Sequence, residues 1–195
     1  NGAETMRIGT SQQSYETSAT VVCDNLFDRC SGEVEVISIK SCDNIVRGNY
    51  FWECEGVVAL RHGKRNLVEN NAFVGNGKRN TGGVRVVDSD HVIRNNTFAT
   101  LAGKRFFSAL GVMNAVPNSL PNRYVQVSDI TITDNVYIDC MNLEFGTGAD
   151  AERTFAPRSI DFKRNRLFVT DGHVPFMMVD KASEVRFADN RINKN

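Results

Sequence analysis

Glu33 and Glu35 stand two apart in the stretch EVEVISIKS, and Lys40 follows five positions later. Two carboxylates and an amine could do proton or metal chemistry if one strand carries all three. Glu33 and Glu35 alternate with Val34 and Val36, which reads as a strand with one buried face and two like charges on the other. Like charges on one strand face repel, and a cation shared between them would remove that penalty. A solvated acidic face is the commoner outcome for such a pair taken alone. The surrounding elements must decide.

Those elements repeat. DNLFDRC, GNYFWEC, NNAFVGN, NNTFATL and DNVYIDC are copies of one unit, with weaker copies in RNRLFVT and DNRINKN. The asparagine of each unit falls at Asn25, Asn49, Asn71, Asn96, Asn135, Asn165 and Asn190, in steps of 24, 22, 25, 39, 30 and 25. Such a period, with short strands such as GVVAL, GGVRVV and DITIT and no helical periodicity, points to a solenoid. Leucines at fixed offsets are missing, so a leucine-rich repeat does not fit. The expected fold is all-β, a right-handed single-stranded parallel β-helix forming one domain over residues 1–195. Its asparagines should sit at turns, tolerate left-handed backbone and bond to the next coil. Cys30, Cys54 and Cys140 each follow their asparagine by five residues, which makes them core positions. The 39-residue step marks an insertion around residues 101–124, expected to lie over the binding face.

Composition narrows the partners. With 23 basic and 23 acidic residues the formal net charge is zero, so general attraction to a polyanion does not follow and charged sites must be local. Neither a nucleic-acid nor a membrane partner is expected, since no run of about 18 apolar residues occurs. The five cysteines match no metal-binding spacing, and their odd number argues against a complete disulfide framework. No signal peptide is visible. The abrupt opening, NGAETMRIGT, suggests that coils belonging to the same β-helix precede this one.

Coil spacing turns distant residues into neighbours. Lys40 and Arg61 are 21 apart and Arg61 and Arg85 are 24 apart, each close to one coil. Glu33, Glu35, Lys40, Arg61, His62 and Arg85 should therefore share one exposed face. A carboxylate pair beside a basic cluster suits an anionic chain plus a divalent cation, and equally suits an ion-pair ladder that offsets charge between coils.

NGAETMRIGT, GEVEVISIKSCDNIVRGN, LRHGKRNLVENNAFVGNG and NTGGVRVVDSDHVIRNNTF resemble, in that order, the core of polysaccharide lyase family 6. That family contains alginate lyases and the dermatan-sulfate lyase chondroitinase B. The resemblance is specific over about the first hundred residues and looser beyond. It implies Lys40, in SIKS, as general base and Arg61, in LRHG, as the partner proposed as general acid. It implies Glu33, Glu35 and Asn1 as ligands of Ca2+, and Arg7, His62, Arg85 and Tyr124 as substrate contacts. A secreted or periplasmic bacterial location is implied in the same way.

The implied reaction is β-elimination on a uronate: a base removes the C5 proton and the glycosidic oxygen leaves C4. Calcium, which takes several oxygen ligands, would withdraw charge from the carboxylate and stabilise the enolate-like transition state. Lys40 can take the proton only when neutral, which Ca2+ and Arg61 nearby would favour. A guanidinium hardly gives up its proton, so the alternative to Arg61 as acid is that it faces developing charge while His62, Tyr124 or water protonates the leaving oxygen. The motifs lie closer to the alginate-degrading members, so alginate is the expected polymer. Dermatan sulfate is the enzymatic alternative, and a non-catalytic β-helix that binds anionic polysaccharide is the other.

Overall fold

The computed structural model describes residues 3–170 and 172–194. Three sheets of seven strands each run the length of the molecule, and every strand pairs in parallel with its counterpart one coil away. No α-helix occurs among the described residues, only two short 3-10 turns at Ser11–Gln13 and Arg105–Phe107. This is a parallel β-helix.

The third sheet shows why the repeat folds this way. Its strands, such as Leu26–Asp28, Tyr50–Trp52, Ala72–Val74 and Thr97–Ala99, are three residues long with an aromatic ring in the middle. Each middle ring points inward. Phe27, Phe51, Phe73, Phe98 and Tyr137 stack with centroids 4.6, 4.5, 4.9 and 4.7 Å apart, the spacing of adjacent strands. In the second sheet Val22, Val46, Val68 and Ile93 fill the same role with aliphatic side chains.

A two-residue turn joins the second sheet to the third, and the repeated asparagines occupy its second position. The Oδ1 atom of Asn71 accepts from the backbone N–H and the Nδ2 of Asn49, at 2.9 and 3.0 Å. The same pair of bonds recurs from Asn25 up to Asn190. One expectation is corrected here. The left-handed residue is the one before each ladder asparagine, for example Asp24, Asn70, Asn95 and Asp134 with φ of 58, 55, 56 and 58°. The ladder asparagine itself is free to aim its amide along the stack. A second ladder at the turn after the first sheet runs from Asn44 to Asn66 and ends on His91, whose Nδ1 accepts from Asn66 N–H at 3.1 Å.

Cys54 and Cys140 are buried and Cys30 packs against the core, with all five thiols free. The insertion is only partly a loop. Leu110–Met113 inside it is a regular strand between Thr81–Val86 and Leu143–Thr147. At four residues, with a glycine in it, that strand is too short to announce itself in the sequence.

Candidate active site

The first sheet carries Arg7, Glu33, Glu35, Lys40, Arg61, His62 and Arg85, every ionisable side chain of the acidic and basic cluster that the sequence singles out. Ile8, Ile39, Leu60 and Val86 form one inward row of it. Beside them an outward row runs Arg7, Ser38, Ala59, Arg85, Gly111, Glu144 across six coils. Ser38, Ala59 and Gly111 in this row are buried beneath the larger side chains around them, and their small size makes room for those groups. Lys40 lies on the same outer face as Ser38, two residues on. It pairs with His62, whereas Ile39 pairs with Leu60, so Arg61 is the extra residue of a β-bulge. Bulges re-aim side chains, and this one brings Arg61 and His62 together beside Lys40.

A second irregularity in Ser31–Lys40 shapes the acidic part. Between the pairings Ser31–Glu55 and Ile37–Val58 the strand carries three more residues than its neighbour. Val34 is consequently half-buried and faces the cleft, contrary to simple alternation, and only Val36 joins the core. Gly56 makes room for the bulge: its φ is 145°, and a Cβ there would meet Val36 Cγ2 at 2.9 Å and the Val34 carbonyl at 3.0 Å. The outcome is a cluster of three carboxylates, with one oxygen each of Glu4, Glu33 and Glu35 within 4.8 Å of one another. Asn1, the third ligand implied by the resemblance, lies outside the described residues. Glu4, three residues further along the same NGAE segment, stands in the cluster and was not singled out from the sequence.

Cations hold parts of this cluster. Arg85 is buried and ion-paired with Glu35, and Arg61 Nε lies 3.7 Å from the same Glu35 oxygen. Arg7 binds Glu4 through Nε and Nη2, and Lys40 Nζ stands 4.0 Å from Glu4. Arg85 is therefore turned toward Glu35 rather than toward open cleft. Burial pushes the Glu4 carboxyl up, but the bonds from Arg7 and the charge of Lys40 bring it below its ordinary value. Glu33 has no ion-pair partner among the described residues. Burial first, then the neighbouring Glu35 and Glu4 charges, push it up. Three crowded carboxylates, one of them outside any ion pair, form an all-oxygen donor set that fits a hard divalent cation. Burial also lowers the Arg61 guanidinium, with Tyr124 opposing and Arg85 reinforcing the shift. His62 is pushed down to about 3 by burial and by the charges of Arg61 and Lys40, so its imidazole is neutral at ordinary pH.

The family model described as chondroitinase B matches residues 1–195, the whole chain. This chain belongs to the chondroitinase B family, polysaccharide lyase family 6. Among solved structures it is similar to the family 6 alginate lyase AlyGC, with 46% identity and a TM-score of 0.96 over 98% of this chain and 26% of that one. It is similar to alginate lyase AlyF-OU02 at 29% identity and TM-score 0.82, covering 97% of this chain and 45% of that one. A mannuronic acid specific family 6 lyase from human gut microbiota shares 30% identity at TM-score 0.74, covering 99% and 40%. The chain thus spans about a quarter of AlyGC and under half of the other two. No curated protein sequence matches it.

Relative to the reading by family resemblance, the structure adds a roof. Phe106 and Phe107, from the first part of the insertion, line the cleft with Val34, and Tyr124 joins them from its far end. The Tyr124 ring lies 4.4 Å from Arg61 Cζ, and Arg61 Nη1 donates to the Arg123 carbonyl at 2.9 Å. Nothing in the spacing of Phe106 marks it as a site residue, because its neighbours come from coils far away in sequence. A wider groove over the second sheet, between Asp129, Asp161 and Arg186, holds none of the residues that carry the family resemblance. Its Asp161–Arg186 pair simply joins two coils.

Proposed function

We propose that this chain carries the catalytic coils of a calcium-assisted lyase that cleaves alginate by β-elimination. The observation that carries the reading is the meeting of Lys40, Arg61 and three carboxylates at one face of the first sheet, with the family membership behind it. Alginate is favoured over dermatan sulfate because the solved relatives named above are alginate lyases or a mannuronic acid specific lyase.

Glu4, Glu33, Glu35 and Asn1 would hold the calcium. When bound, the ion would draw charge from the uronate carboxylate and make the C5 proton easier to remove. Lys40 Nζ takes that proton. The C5 electron pair forms the C4–C5 double bond as the C4–O bond breaks. Arg61 keeps its proton and faces the negative charge that develops in the transition state. His62, neutral, orients substrate through a hydrogen bond instead of supplying a proton. The leaving oxygen takes its proton from the Tyr124 hydroxyl or from water. Arg7 is half-exposed at the cleft and suits a uronate of the neighbouring residue. An enzyme acting on an extracellular polymer would be secreted or periplasmic.

The test incubates the protein separately with alginate and dermatan sulfate and follows the ultraviolet absorbance of the unsaturated product. A rise on alginate in calcium, abolished by chelator, is expected. A rise on dermatan sulfate alone would reverse the choice of substrate. Binding of either polymer without any rise would make the chain a binding module.

A further inference from the structure

The segment between Thr147 and Arg158 leaves the coil, crosses to the insertion and grips it at several points. Ala115 and Phe155 exchange backbone bonds at 2.8 and 3.0 Å, the one antiparallel bridge found among the described residues. Glu152 pairs with Arg123. The third point is Arg153, whose Cζ stands 5.3 Å from the Tyr124 ring centroid and 5.9 Å from that of Phe106. Phe106 in turn lies 5.7 Å from Arg85 Cζ, and Tyr124 lies 4.4 Å from Arg61 Cζ. Five side chains thus alternate cation and ring in the order Arg85, Phe106, Arg153, Tyr124, Arg61.

The central member is held tightly. Arg153 Nε donates to the Gly148 carbonyl at 2.6 Å, its Nη2 pairs with Asp150, and Asn114 Nδ2 donates to its carbonyl at 3.1 Å. Gly148 has φ of 77°, and a Cβ there would stand 3.0 Å from Met113 Cε and 3.4 Å from both Arg153 Nε and Phe106 Cζ. The turn is therefore shaped around the arginine. The other groups near Arg153 are also accounted for: Asp150 neutralises it, and its side chain is mostly buried, 19% exposed. We propose that Arg153 is a positioning residue, which fixes the Tyr124 ring and through it the guanidinium of Arg61. This inference rests on the lyase reading for its kinetic effect, while its geometric content can be read without activity.

A cation facing a ring in a mostly desolvated site contributes enough to hold the ring's position, and small displacements of a catalytic group cost rate steeply. Arg153→Met should lower kcat on alginate roughly ten- to hundredfold with KM changed less than about twofold. Arg153→Lys should recover part of the loss, keeping the charge but not the Gly148 bond. In a Tyr124→Leu background, Arg153→Met should cost less than about twofold more, because the ring it acts through is gone. A role in folding alone would instead add its full effect in both backgrounds. Independently of turnover, the Nε–H proton of Arg61 should show an upfield ring-current shift by NMR that disappears in Arg153→Met. Wild-type rate and an unmoved Arg61 signal in Arg153→Met would overturn the inference, as would an undiminished effect without Tyr124. If the wild type fails to cleave alginate, the lyase reading falls, and the Arg61 signal alone then decides the positioning role.

Discussion

At the scale of single residues, the acidic cluster is a source of stored repulsion that a bound cation would relieve. Glu33, raised by burial and by Glu35 and Glu4, with Arg85 and Lys40 only partly opposing, is the member without an ion pair among the described residues. A raised carboxyl pKa means that ionised Glu33 opposes folding at neutral pH and that its protonation on acidification relieves the cost. Glu33→Gln is therefore expected to raise the thermal midpoint in chelator. The wild type should gain stability on adding calcium, whereas Glu33→Gln should respond little. Differential scanning calorimetry with and without calcium checks both statements. A second residue-level expectation concerns acid. Burial holds His91 down at about 4, and burial with its cationic neighbours holds His62 at about 3. Unfolding lets each take a proton below its ordinary value of about 6.5, so both lose stability as pH falls below that value. Asp88, pushed up to about 6 by burial, works in the opposite sense, because the folded state holds its proton more tightly. His62 and His91 lose stability over this range while Asp88 and, with a smaller shift, Glu33 gain it, so stability should fall only shallowly between about pH 6 and 4. Urea midpoints across that range measure the slope, and Asp88→Asn should steepen it.

At the scale of elements, the ladders and bulges divide the molecule into what the sequence declares and what it conceals. Repeated asparagines at coil spacing announce the turn ladder, since one residue type recurs wherever the same hydrogen bonds recur. The aromatic stack is legible for the same reason. Neither bulge is, because an extra residue changes only the register and leaves the composition of the strand untouched. Arg61 and His62 therefore look like ordinary alternating neighbours in LRHG, and Val34 looks like a core residue. Glu4 escapes notice because it meets Glu33 and Glu35 only after the first two coils stack. The strand Leu110–Met113 and the grip of residues 148–157 on the insertion are concealed in the same way. The ladder itself can be tested at Asn96. Its Oδ1 accepts from the N–H and Nδ2 of Asn71, and its Nδ2 donates to the carbonyls of Val68 and Arg94. Asn96→Ala leaves several buried groups unpaired and should cost about 3 kcal/mol or more in chemical denaturation, with the fold otherwise retained. A cost below about 1 kcal/mol would mean that the turns hold without the ladder.

At the scale of the whole molecule, a neutral chain concentrates its chemistry on one face of one sheet. The zero formal net charge hides a cleft where Arg7, Lys40, Arg61 and Arg85 stand over three carboxylates. The other two sheets bury their middle rows, and ion pairs such as Asp43–Arg65 and Asp134–Arg164 join successive turns, holding the stack without entering the cleft. The final coil leaves Met177, Met178, Phe187 and Ile192 exposed, in contrast to the closed interior of the coils around the site. Function on this view depends on one sheet presenting a base, a charge stabiliser and a metal-binding acid cluster within a coil or two of each other. The most direct measurement compares wild type and Lys40→Ala on alginate in calcium, with products analysed for the unsaturated C4–C5 end. The account predicts unsaturated products from the wild type and a loss of about a thousandfold or more in Lys40→Ala that still folds and binds the polymer. Undiminished elimination by Lys40→Ala, or products with saturated ends, would contradict it.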